Sequence, residues 1–168
     1  MLFRSLDALA TGDYPAMGYS LRYEYGLFKQ KIVDGWQMEL PDTWLPGGEA
    51  WLTQRTDKSF IVRFNGQVEE RWTKNGLETN YINCKEIEAV AYDMMVSGKD
   101  SNAVSVLRLW KAKPVQDFNM KLFSQGDYYQ AMSEDNDADL LTKVLYPADN
   151  HMAGKSLRLK QQYFLCSA

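Results

Sequence analysis

Leu2, Leu6 and Leu9 fall at helical spacing, so the chain is expected to open with a helix, although no Ser, Thr, Asp or Asn precedes them as a cap. From Tyr14 to Gly26 the pattern is short, aromatic and bounded by glycine, which favours an extended strand. Residues 34–48 read as loop, with Pro41 and Pro46 as breakers, and Trp36, Trp44 and Trp51 are expected to pin that loop onto the body. In the middle of the chain 59–65 alternates enough for a strand, and 67–73, 77–82, 86–96 and 103–112 follow between turns, which predicts about five strands in an antiparallel meander. Asn65-Gly66 is expected to be a hairpin turn, because both central residues of a type I′ turn need positive φ; Lys74-Asn75-Gly76 and the polar run 98–102 supply the other turns.

After Pro114 the texture becomes helical. Phe118 to Met132 predicts a helix broken only at Gly126, and Leu140, Leu141, Val144 and Leu145 form a second stripe that Pro147 ends. The acidic positions Glu134, Asp135, Asp137 and Asp139 read as a solvated helix face or turn. A loop over 147–154 leads to a final helix over 155–168, with Leu159, Tyr163 and Cys166 at i, i+4, i+7 and no stop signal. Neither terminal helix is capped, so both ends look cut, and residues 1–168 are expected to be one partial domain with a β-rich part over 16–112 and a helical part over 117–168. The pattern is α/β in the mixed α+β sense, an antiparallel meander flanked by helices.

Composition narrows the classes. At 168 residues, 45% hydrophobic and 24% charged, the chain has room for one core and does not read as disordered. A net charge of -3 gives no field that calls for nucleic acid or an anionic membrane, and no 18-residue apolar run or signal-peptide pattern is present. With His151 the single histidine and Cys84 and Cys166 far apart, neither a two-imidazole zinc site nor a C-x-x-C pair can be built. A reduced, cytoplasmic protein is the expectation, and the lack of an N-x-[ST] sequon fits it.

No glycine-rich phosphate loop occurs, since Gly47-Gly48 sits among prolines. Acid pairs such as Glu69-Glu70 or Asp135 with Asp139 carry no spacing that fixes a glycosidase geometry. The segment from Tyr146 to His151 gathers an acid, an amide and the histidine between two helices, and loops of that kind carry ligands more often than strands do. Beside a ligand role stands a structural one, which the residues themselves favour: Asp149 or Asn150 capping the last helix.

The segments Gly18-Tyr19-Ser20-Leu21-Arg22-Tyr23-Glu24-Tyr25-Gly26-Leu27-Phe28-Lys29-Gln30, Asp34-Gly35-Trp36-Gln37-Met38-Glu39, Asp42-Thr43-Trp44, Leu107-Arg108-Leu109-Trp110, Asp117-Phe118-Asn119, Lys143 to Asn150 and Gly154 to Phe164 together resemble the α-glucan (glycogen and maltodextrin) phosphorylases. The resemblance is colinear but covers only part of that family's N-terminal half. It implies a piece of a Rossmann-like domain from an enzyme with two such domains facing a cleft, which moves a glucosyl unit from the non-reducing end of an α-1,4-glucan to inorganic phosphate, giving glucose 1-phosphate. It also implies pyridoxal phosphate in the full-length enzyme, acting through its phosphate group. The Schiff-base lysine and phosphate-gathering residues belong to the family's other domain, so no cofactor is expected on this chain, which is expected to be inactive alone.

By position, the resemblance makes Asp149 a gate and Asn150 a contact to the bound glucosyl unit, and it makes the helix from Tyr128 to Val144 the contact in a homodimer. Departures are Met1 to Ser5, Thr11-Gly12-Asp13, Ser20, Ala148 before the gate, and His151-Met152 after it. They fit a truncated or misassigned frame, or an engineered fragment. Two other readings remain: a free-standing glucan-binding module in which the three tryptophans stack on sugar, and a dimerisation partner or decoy for a full-length phosphorylase.

Overall fold

The structure, a computed structural model, describes residues 2–45, 50–115 and 119–168. A first helix, α1 (Leu2–Thr11), precedes eight strands: β1 (Met17–Leu21), β2 (Lys29–Val33), β3 (Trp36–Leu40), β4 (Thr53–Phe64), β5 (Gln67–Thr73), β6 (Gly76–Ile82), β7 (Lys85–Ser97) and β8 (Val104–Pro114). Four helices follow: α2 (Met120–Ser124), α3 (Tyr128–Ala131), α4 (Ser133–Leu141) and α5 (Met152–Ser167).

The central sheet runs β1-β8-β7-β4, antiparallel except that β1 joins β8 in parallel. The reason lies in β7, which is apolar on both faces and therefore has to be covered on both. Ile87, Ala89 and Ala91 join Trp110 and Ala112 of β8 and Val62 and Phe64 of β4 under Ala138 and Leu141 of α4 and Phe164 of α5. Val90, Tyr92 and Val96 join Leu107, Leu109 and Leu52 under Leu6 of α1. The three alanines present no bulk beyond Cβ, which lets α4 and α5 approach the strands closely. Phe164 is wholly buried in that layer, a contribution of about 1.5–3 kcal/mol.

The five expected strands are present, but they do not form one meander. Asn65-Gly66 is not a hairpin turn: β4 pairs with β7, with Phe64 opposite Lys85, and β5 pairs only with β6. Asn65 has the positive φ of 56°, but the need for glycine at 66 is one of space, since a Cβ there would lie 2.7 Å from the Tyr81 ring, whose hydroxyl accepts a bond from the Gly66 amide. The hairpins are β7–β8, closed by the expected polar run with Ser97 opposite Val104, β5–β6, closed at Lys74-Asn75, and β2–β3, closed at Asp34-Gly35 with φ of 50° and 81°. The β2–β3 hairpin replaces the first half of the expected loop; Pro46, Gly47 and Gly48 lie outside the described residues.

The three tryptophans do not act together. Trp44 donates its Nε1–H to the Tyr23 carbonyl at 2.9 Å and does strap its segment to the body, whereas Trp36 and Trp51 are 79% and 82% exposed.

In the helical part, Gly126, at φ 89°, separates α2 from α3 as expected; Phe118 lies outside the described residues. The single helix expected from Tyr128 to Val144 is instead α3 and α4, broken at Met132 and finished at Leu141. Residues 142–144 leave the helix because the chain pairs elsewhere: the Glu24 and Tyr25 amides donate to the Thr142 and Lys143 carbonyls, and Tyr25 and Val144 form a parallel bridge. The last helix begins at Met152, and its Leu159, Tyr163 and Cys166 stripe is the outward one. Its inward face carries Gly154, Gln161 and Phe164, flanked by Leu157 and Leu165.

Candidate functional site

The loop between α4 and α5 is fixed at its two ends and exposed between them. At its entrance Gln161, 3% exposed, donates through Nε2 to the Leu141 and Val144 carbonyls, both at 3.1 Å. The opposite side of that entrance is held by the 24–25 segment, where Lys143 also pairs with Glu24 at 2.6 Å and lies 5.8 Å from the Tyr25 ring centre. The hydrogen bond to Glu24 holds the Lys143 ammonium above its ordinary value, with burial opposing.

At the exit His151, not Asp149 or Asn150, caps α5: its Nδ1 accepts from the Gly154 amide at 3.0 Å. The helix starts at Met152, three residues before the expected 155, and His151 is the residue that stands in front of it. Gly154 is required there, since any Cβ would collide with the Ala148 carbonyl oxygen.

Between these anchors the backbone takes a positive φ of 60° at Tyr146. Asp149 is exposed and pairs with Arg158, two turns into α5; Asn150 is exposed next to it. Both expected site residues are thus exposed on one outward loop. Beneath them Tyr23 is half-buried; burial pushes its phenol up, Tyr146 adds to the rise, and Arg158 opposes it.

Beside the loop lies an open cleft of about 640 Å³, with the β2–β3 hairpin on its other side. Tyr25, Phe28, Glu39, Asp42, Val144 and Tyr146 are among its walls.

A second polar cluster sits on the sheet. Asp93, almost wholly buried, accepts from Arg108 at 2.7 and 2.8 Å and from Arg55 at 3.0 Å. Arg108 holds the Asp93 carboxyl below the usual carboxylate range against the opposing effect of burial.

Gln161 and Arg158 are not among the residues the sequence marks as functional. A glutamine within the apolar stripe Leu157, Gln161, Phe164 was the available sign of a buried, bonded polar group. Nothing in the sequence pointed to the pairing of Arg158.

Among the described residues no group of three or more His, Cys, Asp or Glu could hold a metal, and no helix is long and apolar enough to cross a membrane. A lysine that carries a Schiff base needs a desolvated amine with a lowered pKa. Lys143 is shifted the opposite way, and Lys85, on the wall of a 140 Å³ cavity, is engaged by Asp137. Neither fits pyridoxal phosphate.

Fold and loop together define a mixed α/β scaffold that holds a polar loop at its helical side. The chain belongs to the carbohydrate phosphorylase family, whose sequence model matches residues 4–168. It is 45% identical over 165 residues to glycogen phosphorylase of Saccharomyces cerevisiae, covering 97% of this chain and 18% of that protein. It is likewise 45% identical over 163 residues to the liver form of Homo sapiens, covering 97% and 19%, and 44% identical over 164 residues to glycogen phosphorylase 2 of Dictyostelium discoideum, covering 97% and 16%. The chain therefore spans less than a fifth of the length of these relatives.

Proposed function

We propose that this chain supplies part of the N-terminal, Rossmann-like domain of an α-1,4-glucan phosphorylase, the whole protein transferring a glucosyl unit from the glucan end to inorganic phosphate to give glucose 1-phosphate. The observation that carries the reading is the 44–45% identity to glycogen phosphorylases along 97% of the chain. The parallel β1–β8 pair and the helices on both sheet faces support the domain assignment, with residues 1–168 as one partial domain.

In this reading the loop does the chain's share of the work. The Asn150 amide both donates and accepts, so it can bond vicinal sugar hydroxyls. The Asp149 carboxylate would repel a phosphate at the cleft unless withdrawn, and its ion pair with Arg158 offers a place to hold it. Pyridoxal phosphate would be held by the rest of the full-length enzyme, where it would supply a phosphate group to the reaction.

The exposed Tyr128, Tyr129 and Leu140 of α3 and α4, with Met132 between the two helices and Tyr129 at 92%, support the homodimer contact. Cytoplasmic placement accords with the two free cysteines.

The test is a chimera in which this chain replaces the matching segment of the yeast relative. The chimera is expected to release glucose 1-phosphate, Asn150→Ala within it to lower kcat/KM at least tenfold, and the chain alone with pyridoxal phosphate to release none. A folded but inactive chimera, or activity from the chain alone, refutes the proposal.

A further inference from the structure

We propose that Asn75, at the tip of the β5–β6 ribbon, is a site of spontaneous deamidation, and that the fold shields Asn65 from the same reaction. The chain holds two Asn-Gly pairs, Asn65-Gly66 and Asn75-Gly76. In such a pair the backbone nitrogen of the glycine, once its proton is lost, attacks the asparagine Cγ. A C–N bond closes a cyclic imide, and the side-chain nitrogen leaves as ammonia. Water then opens either imide carbonyl, so that the chain continues through the α-carbonyl as aspartate or through the side-chain carbonyl as isoaspartate. The net change is amide plus water to carboxylate plus ammonium. Glycine favours the attack because no Cβ hinders the approach of its nitrogen. Sequence alone therefore ranks the two pairs equally.

The structure separates them. The Gly66 amide donates to the Tyr81 hydroxyl at 2.9 Å, so the proton that has to leave is held in a hydrogen bond. A Cβ on Gly66 would stand 2.7 Å from the Tyr81 ring and 3.0 Å from the Cys84 Cβ, which leaves the backbone no room to turn. Asn65 also follows directly on Phe64, a buried residue paired with Lys85, so rotation there has to drag the ends of β4 and β7.

Asn75 has none of this cover. Thr73 and Gly76 form the last pair of the ribbon, and ladders open first at such ends. Asn75 is exposed, its side-chain amide has no hydrogen-bond partner among the described residues, and nothing lies within 4 Å of a Cβ built on Gly76. The Thr73 Oγ1 accepts from the Asn75 amide at 3.3 Å and donates to the Gly76 carbonyl at 3.0 Å, and neither bond engages the attacking nitrogen. The ribbon shares no register with the main sheet, so a carboxylate at 75, or the methylene that isoaspartate adds to the backbone, leaves both core layers in place. The tip thus gains a negative charge with time while the fold persists.

The whole chain, aged in neutral buffer and sampled over weeks, is cleaved after glutamate, and mass spectrometry scores the peptides spanning 50–69 and 71–78. Asn75 is expected to convert about tenfold or more faster than Asn65, to both aspartate and isoaspartate, with the thermal melt unchanged. In the same chain held unfolded in guanidinium chloride the two rates should come within about threefold of each other. Tyr81→Phe keeps the ring and removes the hydroxyl; Tyr81 lies outside both core clusters, and the variant should quicken Asn65 alone. The proposal is overturned if Asn75 stays intact, if Asn65 keeps pace with it in the folded chain, if the difference survives unfolding undiminished, or if Tyr81→Phe leaves Asn65 as slow as before.

Discussion

Replacing Asp93 by Asn keeps the side-chain shape and removes one charge from the most buried ionic contact of the sheet. Asp93 is 2% exposed and accepts three charge-assisted bonds, two from Arg108 and one from Arg55. Asparagine keeps one acceptor oxygen but turns an NH2 group toward a guanidinium that can only donate. Arg108, whose side chain is 12% exposed, is then left in the sheet without its counter-charge.

Breaking a buried pair from one side costs about 3–5 kcal/mol; because one acceptor survives and Arg55 reaches solvent, the lower end, about 3 kcal/mol, is expected. With urea m-values of about 1–3 kcal/mol/M, the midpoint should fall by roughly 1–3 M at pH 7, followed by far-UV circular dichroism. The acid limb supplies a second reading. Since the folded Asp93 carboxyl lies below its ordinary value, the unfolded chain takes up that proton first as pH falls. The contribution is complete above the unfolded value, about 3.9, and is lost as pH drops through the folded one, so Asp93→Asn should flatten the decline below about pH 4. A midpoint shift under about 0.3 M with unchanged m would show that the cluster does not stabilise the sheet.

Gln161→Met leaves the Leu141 and Val144 carbonyls without their buried donor and should cost about 1–3 kcal/mol. A thermal melt unchanged from the parent, with no faster hydrogen exchange at the Glu24 and Tyr25 amides, contradicts that role. Gly154→Ala cannot be accommodated while the Ala148 carbonyl stays where it is, so amide shifts should concentrate on residues 146–154. An undisturbed loop spectrum would rule that packing out.

What the sequence disclosed follows the range of the interactions involved. Strands β7 and β8 were legible because two apolar-rich segments flank a polar turn that is encoded within five residues. The partner of β4 was not, because pairing with β7 spans the whole β5–β6 excursion, and Asn65-Gly66 offered a nearer and plausible turn. The β2–β3 hairpin was hidden by its composition: both strands are exposed throughout, so they carry no buried stripe, and only Asp34-Gly35 marked the turn. The α4 boundary failed for a tertiary reason, since the bridge to Tyr25 captures residues that helical spacing alone would have kept. Asp149 and Asn150 could be singled out because polar residues clustered between two helices stand out, but their anchors, Arg158 and Gln161, lie on a helix whose inward face was misjudged by two positions.

The facing of Phe64 and Lys85 has a consequence for how this scaffold tolerates change. Everything from Asn65 to Cys84 departs from and returns to one point at the end of a closed ladder, and its ribbon shares no register with the main sheet. Lengthening, shortening or exchanging that ribbon therefore alters no strand order and no packing layer beneath α4 and α5 other than at its base, where Tyr81 meets Gly66. It is a port at which variants of the scaffold can differ in sequence and length while the loop between α4 and α5 keeps its anchors.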